Sequence, residues 1–252
     1  MIDSPVTIPT HDGKHLAGHI RIPDGGGLFP AVIICHDFLD SMKRELLVNL
    51  FLDLSYRRFV VLRFDFSHHG ESYGERNETT ISRQIDDLID VINYLGTVRF
   101  VDKKRIAIIG HGLGGDIALL CDDFRIKAIV TIGTRCRLDE FIRSYLGEEE
   151  IRRWRREKTI NYDYLKLDVG FLEDLSNHDV IAAMRKKNIP MLFMHGQNDK
   201  RSPFQDAREL LSHAKQGTID IVENADHFFS DPAHRSYLFE TLGDWLLRHL
   251  HQ

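Results

Sequence analysis

Two kinds of hydrophobic spacing alternate along this chain. Two segments with apolar residues at every second position, "PVTIP" and "LAGHIRIP", flank "THDGK" and predict an antiparallel hairpin. From residue 31 on, short continuous apolar runs take turns with longer stretches whose apolar residues recur every three to four positions. "AVIIC", "FVVLRFDF", "RIAIIG" and "IKAIVTIG" are separated by "KRELLVNLFLDLSYR", "ISRQIDDLIDVINYLG" and "DIALLCDDF". After a break come "IPMLFMHG", "PFQDARELLSHAK", "TIDIVE" and the terminal "AHRSYLFETLGDWLLRHL". Continuous apolar strands joined by amphipathic helices predict an α/β protein, with a mostly parallel sheet of about eight strands covered on both faces. No internal repeat or low-complexity segment interrupts this order.

The alternation stops after Thr134 and resumes at "IPMLFMHG". Residues 135–188 are rich in charge and aromatics, and they predict a helical cap inserted into a single domain of residues 1–252. Within the insertion, "EEEIRRWRREK" sets Glu148 against Arg152 and Glu149 against Arg153 at helical spacing; a solvated helix face accounts for it better than an anion site.

Composition narrows the function classes. The chain has 252 residues, 42% hydrophobic and 28% charged, the balance of an ordinary globular protein. Its formal net charge of -5 argues against a nucleic-acid partner, because phosphate neutralisation needs a basic face. No apolar run is long enough to span a bilayer, and "MIDSPVTIPTHDGKH" lacks the form of a signal peptide, so the expectation is a cytoplasmic protein with no membrane partner. Cys35, Cys121 and Cys136 lack metal spacing and fit buried free thiols. Fourteen histidines bring no H-E-x-x-H and no tight cluster along the chain, so neither a metal nor another cofactor is expected. A homodimer is left open.

"GHGLGG", residues 110–115, follows an apolar run and opens a helix. Read literally it is a dinucleotide fingerprint, but that pattern belongs in the first βαβ unit and needs an acid after the next strand, where this chain has "TIGTR". Read with one substitution it is the nucleophile elbow G-x-S-x-G, with Gly112 in place of serine. The elbow reading also asks for an acid after a later strand and a histidine after the next. Asp199 in "HGQND" and His227 in "ENADHFF" stand at those places.

With these motifs the chain resembles the α/β-hydrolase family, and within it the small cytoplasmic carboxylesterases that include the cinnamoyl and feruloyl esterases. "CHDF" resembles the family's HGF, "RFDFSHHGES" its R-x-D-x-x-G-x-G-x-S, "GHGLGG" its GHSMGG, "HGQND" its HGxxD and "ENADHFF" its GADHxF. The resemblance implies that His227 is general base and that Asp199 orients it, with the oxyanion held by the backbone N–H groups of Phe38 and Leu113. It implies close helix–strand packing at Gly114 and Gly115, and loop hydrogen bonding for Asp226.

Two departures stand out. Gly112 has no side chain to attack a carbonyl, and Asp37 stands where the family has glycine, beside a site meant for negative charge. Ser72, in a literal G-x-S-x-G, lies in a polar loop rather than at a strand–helix turn; Ser41 and Ser67 read as turn or cap residues, and Cys121 is more than two helical turns from Gly112. His68 takes the place of a glycine and is expected to face solvent, while His69 falls where the family also has histidine. Phe141, Tyr145, Trp154, Tyr162, Tyr164 and Phe171 either line an acyl or aryl pocket or form the core of the cap.

Three functions follow: an esterase template for short or aromatic esters, silenced at Gly112 by engineering or drift and very weakly active; a non-catalytic protein binding a small-molecule ester or similar ligand; and a hydrolase whose Asp199–His227 pair activates water. On the first, Gly112→Ser restores the missing group and leaves every other element in place.

Overall fold

The computed structural model describes residues 1–74, 78–162 and 165–250, and among them the side chains of all but Ser144, Tyr145, Tyr162 and Leu165. The predicted hairpin forms from β1 (Ile2–Pro9) and β2 (His15–Ile22), paired antiparallel. The alternation then runs β3 (Phe29–Cys35), α1 (Glu45–Tyr56), β4 (Val60–Phe64), α2 (Ile81–Leu95), β5 (Val101–His111), α3 (Leu113–Leu120) and β6 (Ile126–Ile132). Every residue of β3 is buried, as its continuous apolar run requires of a strand covered on both faces. α2 begins at Thr80, whose hydroxyl accepts from the N–H of Arg83 at 3.1 Å, a cap contributing about 1 kcal/mol. α3 stops at Leu120, short of the predicted "CDDF", because Cys121 turns to extended backbone.

Between β6 and β9, where a helical cap is expected, lie α4 (Leu138–Glu157), β7 (Thr159–Tyr162), β8 (Leu165–Asp168), α5 (Gly170–Leu175) and α6 (Val180–Lys186). The expected all-helical character needs correction, since β7 and β8 pair as an antiparallel ribbon. Lys158, with φ 65, ends α4, and "TINY" has the β-branched and aromatic residues that suit a strand. Gly147 kinks α4 (φ 74, ψ 164), and the partners differ from the expected ones: Glu148 meets Arg143 at 3.3 Å, and Arg153 meets Glu157, itself an i, i+4 pair, at 3.2 Å. Their side chains are exposed, so the solvated-face reading stands.

The chain closes with β9 (Met191–Gly196), α7 (Gln205–His213), β10 (Gly217–Val222) and α8 (Pro232–Leu250). The eight-stranded sheet has the order β1-β2-β4-β3-β5-β6-β9-β10, parallel from β4 to β10. One face packs under α1 and α8 through Leu47, Leu50 and Leu246. The other buries Ile108 and Ile129 in a cluster continuous with Phe141, Trp154 and Phe171 of the insertion. Among the described residues no helix is long and apolar enough to cross a membrane.

Candidate active site

The strand order brings the loops after β3, β5, β6, β9 and β10 to one edge of the sheet, the carboxyl edge at which open α/β sheets bind ligands. After β5 the chain reverses at Gly112, with φ 51 and ψ -123, and its N–H donates to Ile132 O at 2.9 Å. Positive φ there favours glycine. Close packing sets the glycines around it, since a Cβ on Gly114 would lie 2.5 Å from His36 O and one on Gly115 would lie 1.9 Å from Thr134 Oγ1.

Asp199 and His227 meet at this edge. His227 Nδ1 donates to Asp199 Oδ2 at 2.7 Å, and Asp199 Oδ1 accepts from the N–H groups of Arg201 (2.7 Å) and Ser202 (2.8 Å). His195 Nε2 lies 3.4 Å from the same carboxylate. Gly133, at φ 60, lets the pair sit close to the chain: a Cβ there would be 2.9 Å from His227 Nδ1.

The other face of His227 meets Asp37. Nε2 of the ring lies 3.1 Å from Asp37 Oδ2, so the imidazole is held between two buried carboxylates. Asp37 Oδ1 accepts from the N–H of Phe38 at 2.7 Å and from the N–H of Leu113 at 2.8 Å. Sequence reasoning put Asp37 beside the oxyanion donors; its carboxylate in fact occupies both of them. The expectation that serine at 112 would leave everything else in place is overturned as well. A Cβ on Gly112 would lie 1.9 Å from Asp37 Oδ1 and 2.2 Å from its Cγ, so the two departures are one steric exchange.

Charge reinforces the arrangement. Burial alone would lower the His227 pKa, but its hydrogen bonds to Asp199 and Asp37 and their charges raise it to about 9, so the ring is an imidazolium at neutral pH and both nitrogens donate. Burial would raise Asp37, yet the His227 hydrogen bond and charge, a further contribution from His111 and the Leu113 N–H hold it well below the carboxylate range. Asp199 is likewise held low against burial, by His195, His227 and the Ser202 N–H. His111, lowered to about 4 chiefly by burial and by the His227 charge, donates from Nε2 to His227 O at 2.9 Å, and its ring packs tilted by 40° against that of His227, the centroids 4.5 Å apart. His36 fixes the Asp37 loop, its Nδ1 donating to Asp37 O at 2.8 Å while Nε2 accepts from the N–H of Phe66.

Asp37, His111 and His227 offer ligand atoms within 4.8 Å of one another, a grouping that linear spacing did not reveal. A cation there would have to displace the proton that His227 shares with Asp37, so the resting ion pair competes with metal binding.

The remaining candidates have structural work. Ser72 accepts from the N–H of Ala17 at 2.9 Å and donates to Asp65 O; Ser67 donates to Asp87 Oδ1 at 2.8 Å; Ser41 accepts from the N–H of Lys43, as a turn residue. Asp226 Oδ1 accepts from the N–H groups of Phe228 and Ser230, the local role expected of it. All three cysteines are buried and free. His68 corrects its expectation: it is buried, with φ 69, a glycine-favouring backbone that explains the glycine in the resembling segment. His69 is buried, with Nδ1 3.0 Å from Ser67 O.

Phe141 and Phe171 pack on Phe38, with ring centroids 5.2 and 5.3 Å away, and Trp154 stacks on Phe171 at 6.3 Å. These three are buried core of the insertion, seated on the residue that follows Asp37. Tyr164 lies outside the described residues, as do the side chains of Tyr145 and Tyr162.

Comparison with known proteins identifies the fold and the family. The chain is 33% identical, over 91% of its length and 94% of the relative's, to an uncharacterized 31.7 kDa protein in the traX-finO intergenic region of Escherichia coli. It is 22% identical to the mitochondrial palmitoyl-protein thioesterase ABHD10 of Mus musculus, over 86% of this chain and 75% of that one. Among solved structures, Est1E from Butyrivibrio proteoclasticus with bound ferulic acid superposes with a TM-score of 0.88 at 21% identity, covering 98% of this chain and 100% of that one. The fold is therefore the α/β-hydrolase fold. The family model of the prolyl oligopeptidases matches residues 66–252, a stretch that holds Gly112, Asp199 and His227. On this match the chain belongs to the prolyl oligopeptidase family.

Proposed function

We propose that this chain is a hydrolase of small organic molecules whose working groups are Asp37, His227 and Asp199, and that acyl-enzyme ester hydrolysis at residue 112 is not its chemistry. One observation carries the reading: the Asp37 carboxylate sits on the Phe38 and Leu113 N–H groups with its second oxygen 3.1 Å from His227 Nε2. Serine chemistry is closed twice, by the missing hydroxyl at Gly112 and by a carboxylate where a tetrahedral oxyanion would have to sit. Asp37 is the group that His227 and the two backbone donors now serve. The relatives support a hydrolase ancestry of the ester and thioester type.

A second reading, a silenced esterase that only binds an ester or similar ligand beneath residues 135–188, is favoured by the same occupied donors, because a filled oxyanion site blocks turnover of esters. Asp37→Asn separates the two. It keeps the side-chain shape and removes the charge, so turnover of the protein's substrate falls by about 10³-fold or more on the working-group reading, the scale on which loss of a triad member acts. Ligand affinity with no turnover in either protein supports the binding reading. Asp37→Gly combined with Gly112→Ser reopens the ancestral route in both cases, and hydrolysis of p-nitrophenyl acetate should appear in that double variant.

A further inference from the structure

Building on Asp37 as the working group, we infer that it is a covalent nucleophile toward saturated carbon, opening a strained cyclic ether (an epoxide), and that water activated at His227 then cleaves the resulting aspartyl ester. The occupied donors decide which steps the site allows. Attack of a carboxylate on an ester carbonyl creates a new tetrahedral oxyanion, but the Phe38 and Leu113 N–H groups are already taken by Asp37 Oδ1. Displacement at a saturated carbon creates none; the negative charge passes to the leaving group. Asp37 Oδ1 is fixed by two backbone donors, which leaves Oδ2 as the attacking atom. Beside Oδ2 stands an acid for the leaving oxygen, the N–H on His227 Nε2 at 3.1 Å, with the Arg201 guanidinium 4.0 Å away.

The protons balance through the cycle. Oδ2 forms a bond to one ring carbon, the C–O bond of the epoxide breaks, and its alkoxide takes the Nε2 proton of His227. Asp37 is now a neutral ester, one of the two carboxylates that held that proton has gone, and His227 is a free base oriented by Asp199. It removes a proton from water, and hydroxide adds to Cγ of Asp37. The new oxyanion forms on Oδ1, already between the Phe38 and Leu113 N–H groups. Collapse expels the diol alkoxide, which takes the proton of the aspartic acid left behind, and restores Asp37 carboxylate and His227 imidazolium. The net reaction is epoxide plus water to diol. The order of steps agrees with the resting charges: His227, raised to about 9, is no base until Asp37 is alkylated, and Asp37, held low, is a poor base for water. A low-basicity carboxylate also calls for a strained electrophile.

The test uses the intact protein and two probes, styrene oxide and cyclohexene oxide. In ¹⁸O-water with enzyme in excess, one turnover should place ¹⁸O in the Asp37 peptide and unlabelled oxygen in the diol, because the carbon leaves with the original Oδ2. His227→Gln should trap the ester, seen as a mass increase of one probe on the Asp37 peptide. Label in the diol and none in Asp37 would overturn the covalent step while leaving Asp37 as the working group. Neither turnover nor an adduct with either probe would also overturn the inference. If instead Asp37→Asn converts the probes as the wild type does, the underlying assignment of Asp37 itself fails.

Discussion

A stability cycle at residues 37 and 112 exposes the steric exchange directly. In Gly112→Ser the new Cβ falls 1.9 Å from Asp37 Oδ1, and ordinary contact begins at 3.4 Å, so the carboxylate must withdraw by about 1.5 Å. That lengthens its bonds of 2.7 and 2.8 Å beyond hydrogen-bond range. Two buried N–H groups lose their acceptor at about 1–3 kcal/mol each, and the side chain at φ 51 adds about 1–3 kcal/mol of backbone strain. Together these cost the single variant roughly 3–9 kcal/mol. With Asp37→Gly already in place the same serine meets no carboxylate, and only the backbone strain of about 1–3 kcal/mol remains. Urea denaturation of wild type, both single variants and the double variant measures the coupling, expected to be about 2 kcal/mol or more in favour of the double. Effects that add to within about 0.5 kcal/mol would refute the claim that glycine at 112 exists to admit Asp37.

Asp199→Asn should leave the fold intact but lower turnover by about 10⁴-fold, since the amide fixes the wrong tautomer of His227; a loss under tenfold would count against the orienting role. His227 carries a raised folded pKa, so its stabilisation is full below its unfolded value of about 6.5 and is lost as pH rises through about 9. The stability difference between wild type and His227→Gln should therefore be flat below about pH 6.5, shrink between there and about pH 9, and level off above it, read by denaturant midpoints. Ser72→Ala should cost about 1 kcal/mol, through the Ala17 N–H and Asp65 O that it bridges, and leave turnover unchanged.

The parallel sheet was legible because buried strands such as β3 and β9 carry uninterrupted apolar runs that no other element explains. Asp199 and His227 were legible because each follows a strand at its carboxyl end, in elbow order. The ribbon β7–β8 escaped notice because four-residue strands are too short for periodicity to register. Asp37 was noticed as an oddity, and Gly112 as another. Their facing positions come from the pairing of β3 with β5, which no local pattern in the chain encodes. His111, whose ring packs against that of His227, was hidden for the same reason.

Asp37 and Asp199 hold His227 between them as an imidazolium over an occupied pair of backbone donors. An NMR titration of the His227 ring nitrogens tests it most directly. Both nitrogens should stay protonated through neutral pH, with the proton lost near pH 9, and Asp37→Asn should move this midpoint down. A His227 that titrates near 6.5 in the wild type, or a midpoint indifferent to Asp37→Asn, would contradict it.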